Sequence, residues 1–413
     1  MSWRETTLGE ITDLKRGFDL PKSQRLQGDV PVYSSSGITG SNSTAAVEGP
    51  CVITGRYGTI GEVFFSGGPC WPLNTALYST EFNGNNPRFI YYLLQTIPWQ
   101  GYTTASAVPG VNRNHVNLCP VKIPDRATQD AIVEVLDSIV DKIALNNRLN
   151  DYLLELVSSV FAYRFSNNVN TTELKNVLSI STKALKPQEH AGEIWEHYSI
   201  PAFDENHRPV FEPASGIKSN KYQIDSECIL ISKLNPSTKR IWMPYCSSNN
   251  AVCSTEFIVY RPYLKEYKSF YYAAIDSPRF TDYLLEHVSG STGSRQRAQS
   301  KDTLNYLMPN PGKEEIKDFC TFADPIYRHI QINEQQTAKL ELLRDALLPK
   351  LMSGEIDVSK VDLTQLTNNH LAGRMHWSTV IRVRAIHAVH SRQSQIPAYE
   401  SVPRVLHSHA TPP

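Results

Sequence analysis

Short apolar runs separated by Gly, Ser, Asn and Pro fill residues 1–120, and a helical spacing replaces them from Asp125 onward. The runs VPVYSS (30–35), PCVITG (50–55), GEVFFS (61–66) and TALYST (75–80) predict strands of a compact β-rich domain. PRFIYYLL (87–94) predicts a short helix. From Asp125 to about Arg164, Ile132, Val135, Leu136, Ile139, Ile143, Leu149, Leu153 and Leu156 recur three and four apart, uninterrupted by Gly or Pro. About 36 residues at 1.5 Å each make a rod of roughly 50 Å. Polar SNNVNTTE (166–173) marks a join. A second mixed segment follows over about 174–310, with strands ECILISKL (227–234) and STEFIVY (254–260) and a helix FYYAAI (270–275). A second long helix is predicted from about Lys313 to Met352, with Ile316, Phe319, Ala323, Ile326, Ile330, Leu340, Leu343 and Leu347 as its apolar positions. Pro325 is expected to kink or break it in its first third.

The order of elements is therefore written twice, about 186 residues apart. IPDRATQDAIVEVLDSIVDKIALNN (123–147) aligns with MPNPGKEEIKDFCTFADPIYRHIQIN (308–333), so that Ile143 matches Ile330, Leu145 matches Ile332 and Asn146 matches Asn333. Upstream, GPCVITGRYGTIGEVFF (49–65) sits where SECILISKLNPSTKRIWM (226–243) sits in the second copy. The expected fold class is α+β: two similar β-rich domains related by a pseudo-two-fold internal repeat, with two long helices pairing as an antiparallel coiled coil. Ile132, Leu136, Ile139, Ile143 and Leu153 on the first helix and Ile326, Ile330, Leu340, Leu343 and Leu347 on the second would form its seam. The expected boundaries are 1–124 for the first domain, 125–165 for the central helix, 166–312 for the second domain, 313–353 for the C-terminal helix and 354–413 for an atypical tail.

Composition narrows the class. Hydrophobic content of 40% and charge of 20% are ordinary for a globular chain. No apolar run reaches the roughly 18–20 residues of a membrane span, and MSWRETTLGEIT lacks the apolar core of a signal peptide. Seven scattered cysteines (51, 70, 119, 228, 246, 253, 320) without CxxC fit reduced thiols in a cytoplasmic protein. A net charge of zero excludes a non-specific polycation but leaves room for one basic face. Residues 361–413 hold five Arg, two acidic residues and His370, His376, His387, His390, His407 and His409, without periodicity. A disordered extension is expected there rather than a metal site, because the spacing is irregular and no Cys accompanies it. GEIDVSKV (354–361) already reads like a natural terminus.

Catalytic signatures are absent. There is no Walker A sequence, no HExxH, no (D/N)PP(Y/F) and no FxGxG-type cofactor loop. GRYGTIG (55–61) follows an apolar strand, but its glycines miss the GxGxxG spacing and a strand pattern follows, so it is expected to be a turn between strands. No catalytic residue and no metal ligand is assigned. What remains is a set of displayed polar, basic and aromatic residues at matching places in both copies. In the first these are Lys15, Arg16, Lys22, Arg56, Tyr57, Asn74, Arg113 and Asn114. In the second they are Lys183, Lys221, Lys233, Asn235, Lys239, Arg240, Arg295 and Arg297. Arg and Asn can read base edges bidentately, while Lys mostly meets phosphate. The loop SGSTGSRQRAQSK (289–301) sits where SAVPGVNRNHVN (106–117) sits in the first copy, and the two are paired candidates for DNA contact.

These residues carry a resemblance. WRETTLGEI (3–11), PVYSSSGITG (31–40), VITGRYGTIGEVFF (52–65), QDAIVEVLDSIVDKIALNN (129–147) and LLRDALLPKLMSGEI (342–356) make the chain resemble the DNA-specificity subunit of type I restriction–modification systems over about residues 1–360. The resemblance implies two target-recognition domains, each reading one half of a split double-stranded DNA target. It implies a coiled coil that sets the gap between the halves and docks modification subunits, the DNA adenine methyltransferases of the complex. ATP-dependent restriction subunits would join them. S-adenosylmethionine, ATP and Mg would then be bound by partner subunits and none by this non-catalytic chain. A self-contained DNA-modifying enzyme with an unrecognised motif and a coiled-coil interaction scaffold are the rival readings, and a specificity subunit disabled by its tail is a third.

Overall fold

The computed structural model describes residues 3–103, 110–289 and 296–361, and these fall into two compact units. The first comprises residues up to Val135 together with those from Pro349, and the second runs from Leu136 to Leu348.

The first unit opens with β1 (Trp3–Thr7), α1 (Leu8–Ile11) and β2 (Lys15–Arg16). Next come β3 (Val30–Ser34), β4 (Gly37–Asn42), β5 (Cys51–Gly55), β6 (Val63–Ser66), β7 (Trp71–Pro72) and β8 (Ala76–Ser79). It continues through α2 (Pro87–Gln95), α3 (Arg113–Asn117) and β9 (Pro120–Pro124) into α4 (Arg126–Phe165). An antiparallel sheet is ordered β2-β8-β5-β6, and a smaller one is ordered β4-β3-β7 with β3 and β7 parallel. β5 is buried along its whole length, as expected for the apolar CVITG at the centre of a sheet. β1 pairs with β9, which ties the start of the domain to the start of α4. Asn86 caps α2, its side chain accepting from the backbone N–H of Arg88 and Phe89, with Pro87 in the first turn. α2 buries Phe89, Ile90, Tyr92, Leu93 and Leu94.

The second unit repeats this plan. After the rest of α4 come β10 (Thr171–Glu173), β11 (Leu178–Ser181), β12 (Ala184–Leu185), β13 (Ile194–Tyr198), α5 (Ile200–Asn206) and β14 (Val210–Pro213). Then follow β15 (Lys221–Gln223), β16 (Ile229–Ser232), β17 (Ile241–Trp242), β18 (Ala251–Ser254) and β19 (Phe257–Pro262). The unit ends with α6 (Lys268–Asp276), α7 (Pro278–Glu286), β20 (Val288–Ser289), β21 (Arg297–Ala298), β22 (Leu307–Pro309) and α8 (Lys313–Ser353). Its sheet β11-β19-β16-β17 has the connectivity of β2-β8-β5-β6. The pair β10-β22 stands for β1-β9, and β13, parallel to β18, stands for β3 beside β7. The additions in this copy are α5, α7 and the strands β12 and β15, which extend the sheet beyond β18. STEFIVY proves to be two elements, because a turn at Thr255–Glu256 separates β18 from β19.

Within this unit α4 and α8 run antiparallel. Arg164 meets Asp318 at 2.7 Å, Asn150 meets Asn333 at 2.8 Å and Asn146 meets Gln336 at 3.1 Å, so one numbering rises as the other falls. Of the expected seam, Leu136 and Ile139 are buried, as are Ile326, Ile330 and Leu340, while Ile143, Leu153, Leu343 and Leu347 are half-buried. Ile132, in the first unit, is also buried. The α8 face does two jobs. Ile316, Phe319, Ala323, Ile326, Tyr327 and Ile330 lie in one core with Val157, Phe161 and Phe165 of α4 and with Phe270, Tyr271 and Tyr272 of α6.

α8 is one helix through Pro325, against the expectation of a break. Proline removes a single intrahelical bond, the one to the carbonyl of Thr321. Thr321 is exposed, so water can satisfy that carbonyl, and buried Ala323, Ile326 and Tyr327 hold the helix on both sides.

Candidate nucleic-acid interface

The turn GRYGTIG joins β5 to β6 as a hairpin, with Gly58 at φ +80° and Gly61 at φ +93°, values that L side chains rarely adopt. Its base is clamped from both sides. Arg56 N donates to Thr75 O at 2.9 Å, and Val111 N donates to Arg56 O at 2.9 Å. An isolated antiparallel bridge joins Tyr57 to Gly110.

The second copy builds the same junction from different residues. Lys233 N donates to Glu256 O at 2.9 Å, Ala298 N donates to Lys233 O at 2.9 Å, and Leu234 bridges Arg297. Arg56 is thus the structural counterpart of Lys233, and Gly110 of Arg297. The two loops paired in the sequence meet the two hairpins in the same way over their described parts.

Side-chain settings differ between the copies. In the first, Arg56 Nη1 donates to Asn74 O at 3.3 Å and Nη2 donates to Tyr57 Oη at 3.3 Å. The Arg56 guanidinium lies 4.5 Å from the centre of the Tyr57 ring. Arg16, Arg56, Tyr57, Asn112, Arg113 and Asn114 line a cleft of about 460 Å³. Arg113 and Asn114 are exposed on α3, whose N-cap Asn112 accepts from Asn114 N at 3.0 Å. The three other expected residues of this copy lie outside this cleft lining. Lys15 pairs with Glu81 at 2.5 Å, Asn74 donates to Asp19 and Lys22 is exposed on a 3₁₀ turn.

In the second copy three of the expected basic side chains are neutralised by carboxylates. Arg240 meets Asp204 through two bonds of 2.6 and 2.8 Å with its side chain 11% exposed. Lys239 meets Asp276 at 2.6 Å, and Arg297 meets Glu256 at 3.0 Å. Asn235 occupies a left-handed turn at φ +49° and donates its N–H to Gln296 O. Lys221 is a correction: it is buried, not displayed. Its ammonium donates to Ser219 O at 3.0 Å and Oγ at 2.8 Å, and burial pulls its pKa down. Arg295 and the tail histidines lie outside the described residues.

Lys183 lines a separate polar cleft of about 490 Å³ with Gln223, Asp225, Ser248, Asn249 and Arg261. Sequence reasoning missed this group, because Arg261 and Asp225 meet at 2.8 Å only through the fold. It also missed Glu196, which is fully buried and holds the loop carrying Ser248. Tyr198 Oη, Ser247 N, Ser247 Oγ and Ser248 N all donate to its carboxylate at 2.7–3.1 Å. Asn112, next to the expected Arg113, was legible as a helix N-cap.

Among the described residues no group of three or more His, Cys, Asp or Glu is placed to hold a metal ion. Among them, too, no helix is long and apolar enough to cross a membrane.

Residues 1–155 match the family model described as type I restriction modification DNA specificity domain. No curated protein matches the chain. Among solved structures, the S subunit of a type I restriction-modification system from M. genitalium is similar at 15% identity. That match covers 85% of this chain and 96% of that one with a TM-score of 0.57, a likeness of fold. The HsdS subunit from Thermoanaerobacter tengcongensis matches at 16% identity over 86% of this chain and 97% of that one, with a TM-score of 0.30.

Proposed function

We propose that this chain, which carries a type I restriction-modification DNA specificity domain over residues 1–155, is the non-catalytic specificity subunit of a cytoplasmic type I restriction–modification complex. Each β-rich domain reads one half of a split double-stranded DNA target. The paired helices set the gap between the halves and dock DNA adenine methyltransferase subunits, and ATP-dependent restriction subunits complete the assembly. S-adenosylmethionine, ATP and Mg belong to those partners.

The observation that carries this reading is the duplicated hairpin clamp. A basic residue, Arg56 or Lys233, occupies the same backbone seat in two domains of one topology, while the loops around it differ. Two alike scaffolds with divergent loops suit an asymmetric bipartite target. Leu145 and Ile332, which match in the repeat and are 51% and 47% exposed, are the paired apolar positions that such docking would cover.

Co-expression with the modification subunit in a methylation-free host, followed by genome-wide mapping of N6-methyladenine, tests the reading. The expected result is methylation at one split, asymmetric motif. Methylation at no motif, with both proteins soluble, overturns it.

A further inference from the structure

We infer that Arg56 reads a guanine in one half of the target, its guanidinium bonding the O6 and N7 edge in the major groove. The inference rests on the proposed DNA-reading role and names the residue that would set specificity in the first domain.

Arg56 is held as a base reader should be. Its backbone is pinned on both sides by bonds of 2.9 Å to Thr75 and Val111. Its guanidinium is braced by the carbonyl of Asn74 and the hydroxyl of Tyr57, and it rests against the Tyr57 ring. These two bonds leave three of the five guanidinium N–H groups to a ligand. A braced, planar fork loses little entropy on binding and matches the two acceptors of a guanine edge.

The charge environment favours the same role. Three arginines and two asparagines line the cleft, with no carboxylate among its described lining residues. No ion pair fixes Arg56 among the described residues, whereas its neighbour Arg16 lies 3.6 Å from Asp19. In the second copy the counterpart is Lys233, a point charge without a fork, and the adjacent Arg297 is held by Glu256. At this backbone seat the fork therefore belongs to the first domain only, which places the guanine that Arg56 reads in that domain's half of the target.

A phosphate contact is the competing use of an arginine, and the two leave different signatures. Losing a base contact relaxes one position, whereas losing a phosphate contact weakens all sequences evenly and lowers the salt dependence by about one ion. The full chain, unaltered or carrying Arg56→Lys or Arg56→Ala, is co-expressed with the modification subunit, and the methylated motif is mapped for each. Binding of each purified complex to the target duplex is measured against salt concentration.

The expected result is that both variants accept other bases at one guanine position. Discrimination there falls by about tenfold to a hundredfold. The other half of the motif stays unchanged and serves as the internal control for folding and assembly. An unchanged motif in both variants overturns the inference. So does an even loss with a reduced salt dependence, or a loss of all methylation by both variants. An unaltered-chain motif without guanine in either half overturns it at once. If the unaltered chain directs no methylation, it is the proposed function that fails.

Discussion

Asn333 Nδ2 donates to Asn150 Oδ1 at 2.8 Å, and its repeat counterpart Asn146 donates to Thr337 Oγ1 at 3.3 Å. Asn146 corresponds to Asn333 and Asn150 to Thr337, so the two bonds exchange under the pseudo-two-fold repeat. All four residues are buried. They form a polar layer in an otherwise apolar seam, a device that trades stability for a unique register. The Oδ1 atoms of Asn146 and Asn333 have no hydrogen-bond partner, which is the stability side of that trade.

Asn333→Ala removes the donor to a buried acceptor on Asn150 and should lower stability by about 1–3 kcal/mol. Denaturant unfolding measures this. An unchanged midpoint would show that the layer contributes nothing to holding the helices together.

Glu334, beside that layer, is pushed up to about 8 by burial, with Arg208 opposing. His207 Nδ1 lies 3.5 Å away, and burial pulls His207 down to about 4. Both are therefore neutral near pH 6.5. Glu334's folded pKa is raised, so its contribution is full below its ordinary 4.5 and is lost as pH rises through about 8. His207's is depressed, so its contribution is present above 6.5 and is lost as pH falls through about 4. The two slopes oppose each other between pH 4.5 and 6.5, and the Glu334 slope stands alone above that. The Tm should fall between pH 6.5 and pH 8.5, and Glu334→Gln should flatten that fall. Parallel profiles for the two proteins would refute the assignment.

Arg208 reaches Glu341 on α8 with both nitrogens at 2.7 Å, and the side chains are 13% and 26% exposed. The pair ties down α5, an element that the first copy replaces with the two-residue turn Ser35–Ser36. A double-mutant cycle between Arg208→Ala and Glu341→Ala should give a coupling of about 1–3 kcal/mol, above the usual surface pair because of its partial burial and two-bond geometry. A coupling near zero would assign the anchoring of α5 to Phe203 and Trp242 instead, whose rings lie 5.1 Å apart.

Gly354 ends α8 at φ +77°, and a Cβ there would come within 2.8 Å of the Trp3 ring. Gly354→Ala should cost about 1–2 kcal/mol from backbone strain alone, and more if the ring cannot move. Calorimetry should show the lowered transition in the unit that holds both Trp3 and Gly354.

The repeat was legible because both helices keep their three-and-four spacing and because Asn146 and Asn333 occupy one register. The hairpin at GRYGTIG was legible from its glycines. The partners of the basic residues were not. Asp204, Glu256 and Asp276 neutralise Arg240, Arg297 and Lys239 from 36 to 41 residues away, a distance over which no local pattern speaks. Lys221 looked displayed because a lysine in a polar stretch usually is, and only its place on β15, beside β18, buries it. Pro325 misled for the opposite reason: its local penalty was read correctly, but tertiary packing outweighs it.

Leu145 and Ile332 give the sharpest test of the proposed partner surface. Each sits on the outer side of its helix, and the repeat makes the two positions equivalent. Equivalent apolar positions should dock equivalent copies of one partner, so this chain should bind two modification subunits. Because both side chains are already half in water, Leu145→Asp and Ile332→Asp should leave the melting profile nearly unchanged. Each single variant should then lose one modification subunit, and the double variant both, as read from complex mass by sedimentation. Retention of two subunits by the double variant would place docking elsewhere on the chain, without bearing on the proposed DNA reading by the two domains.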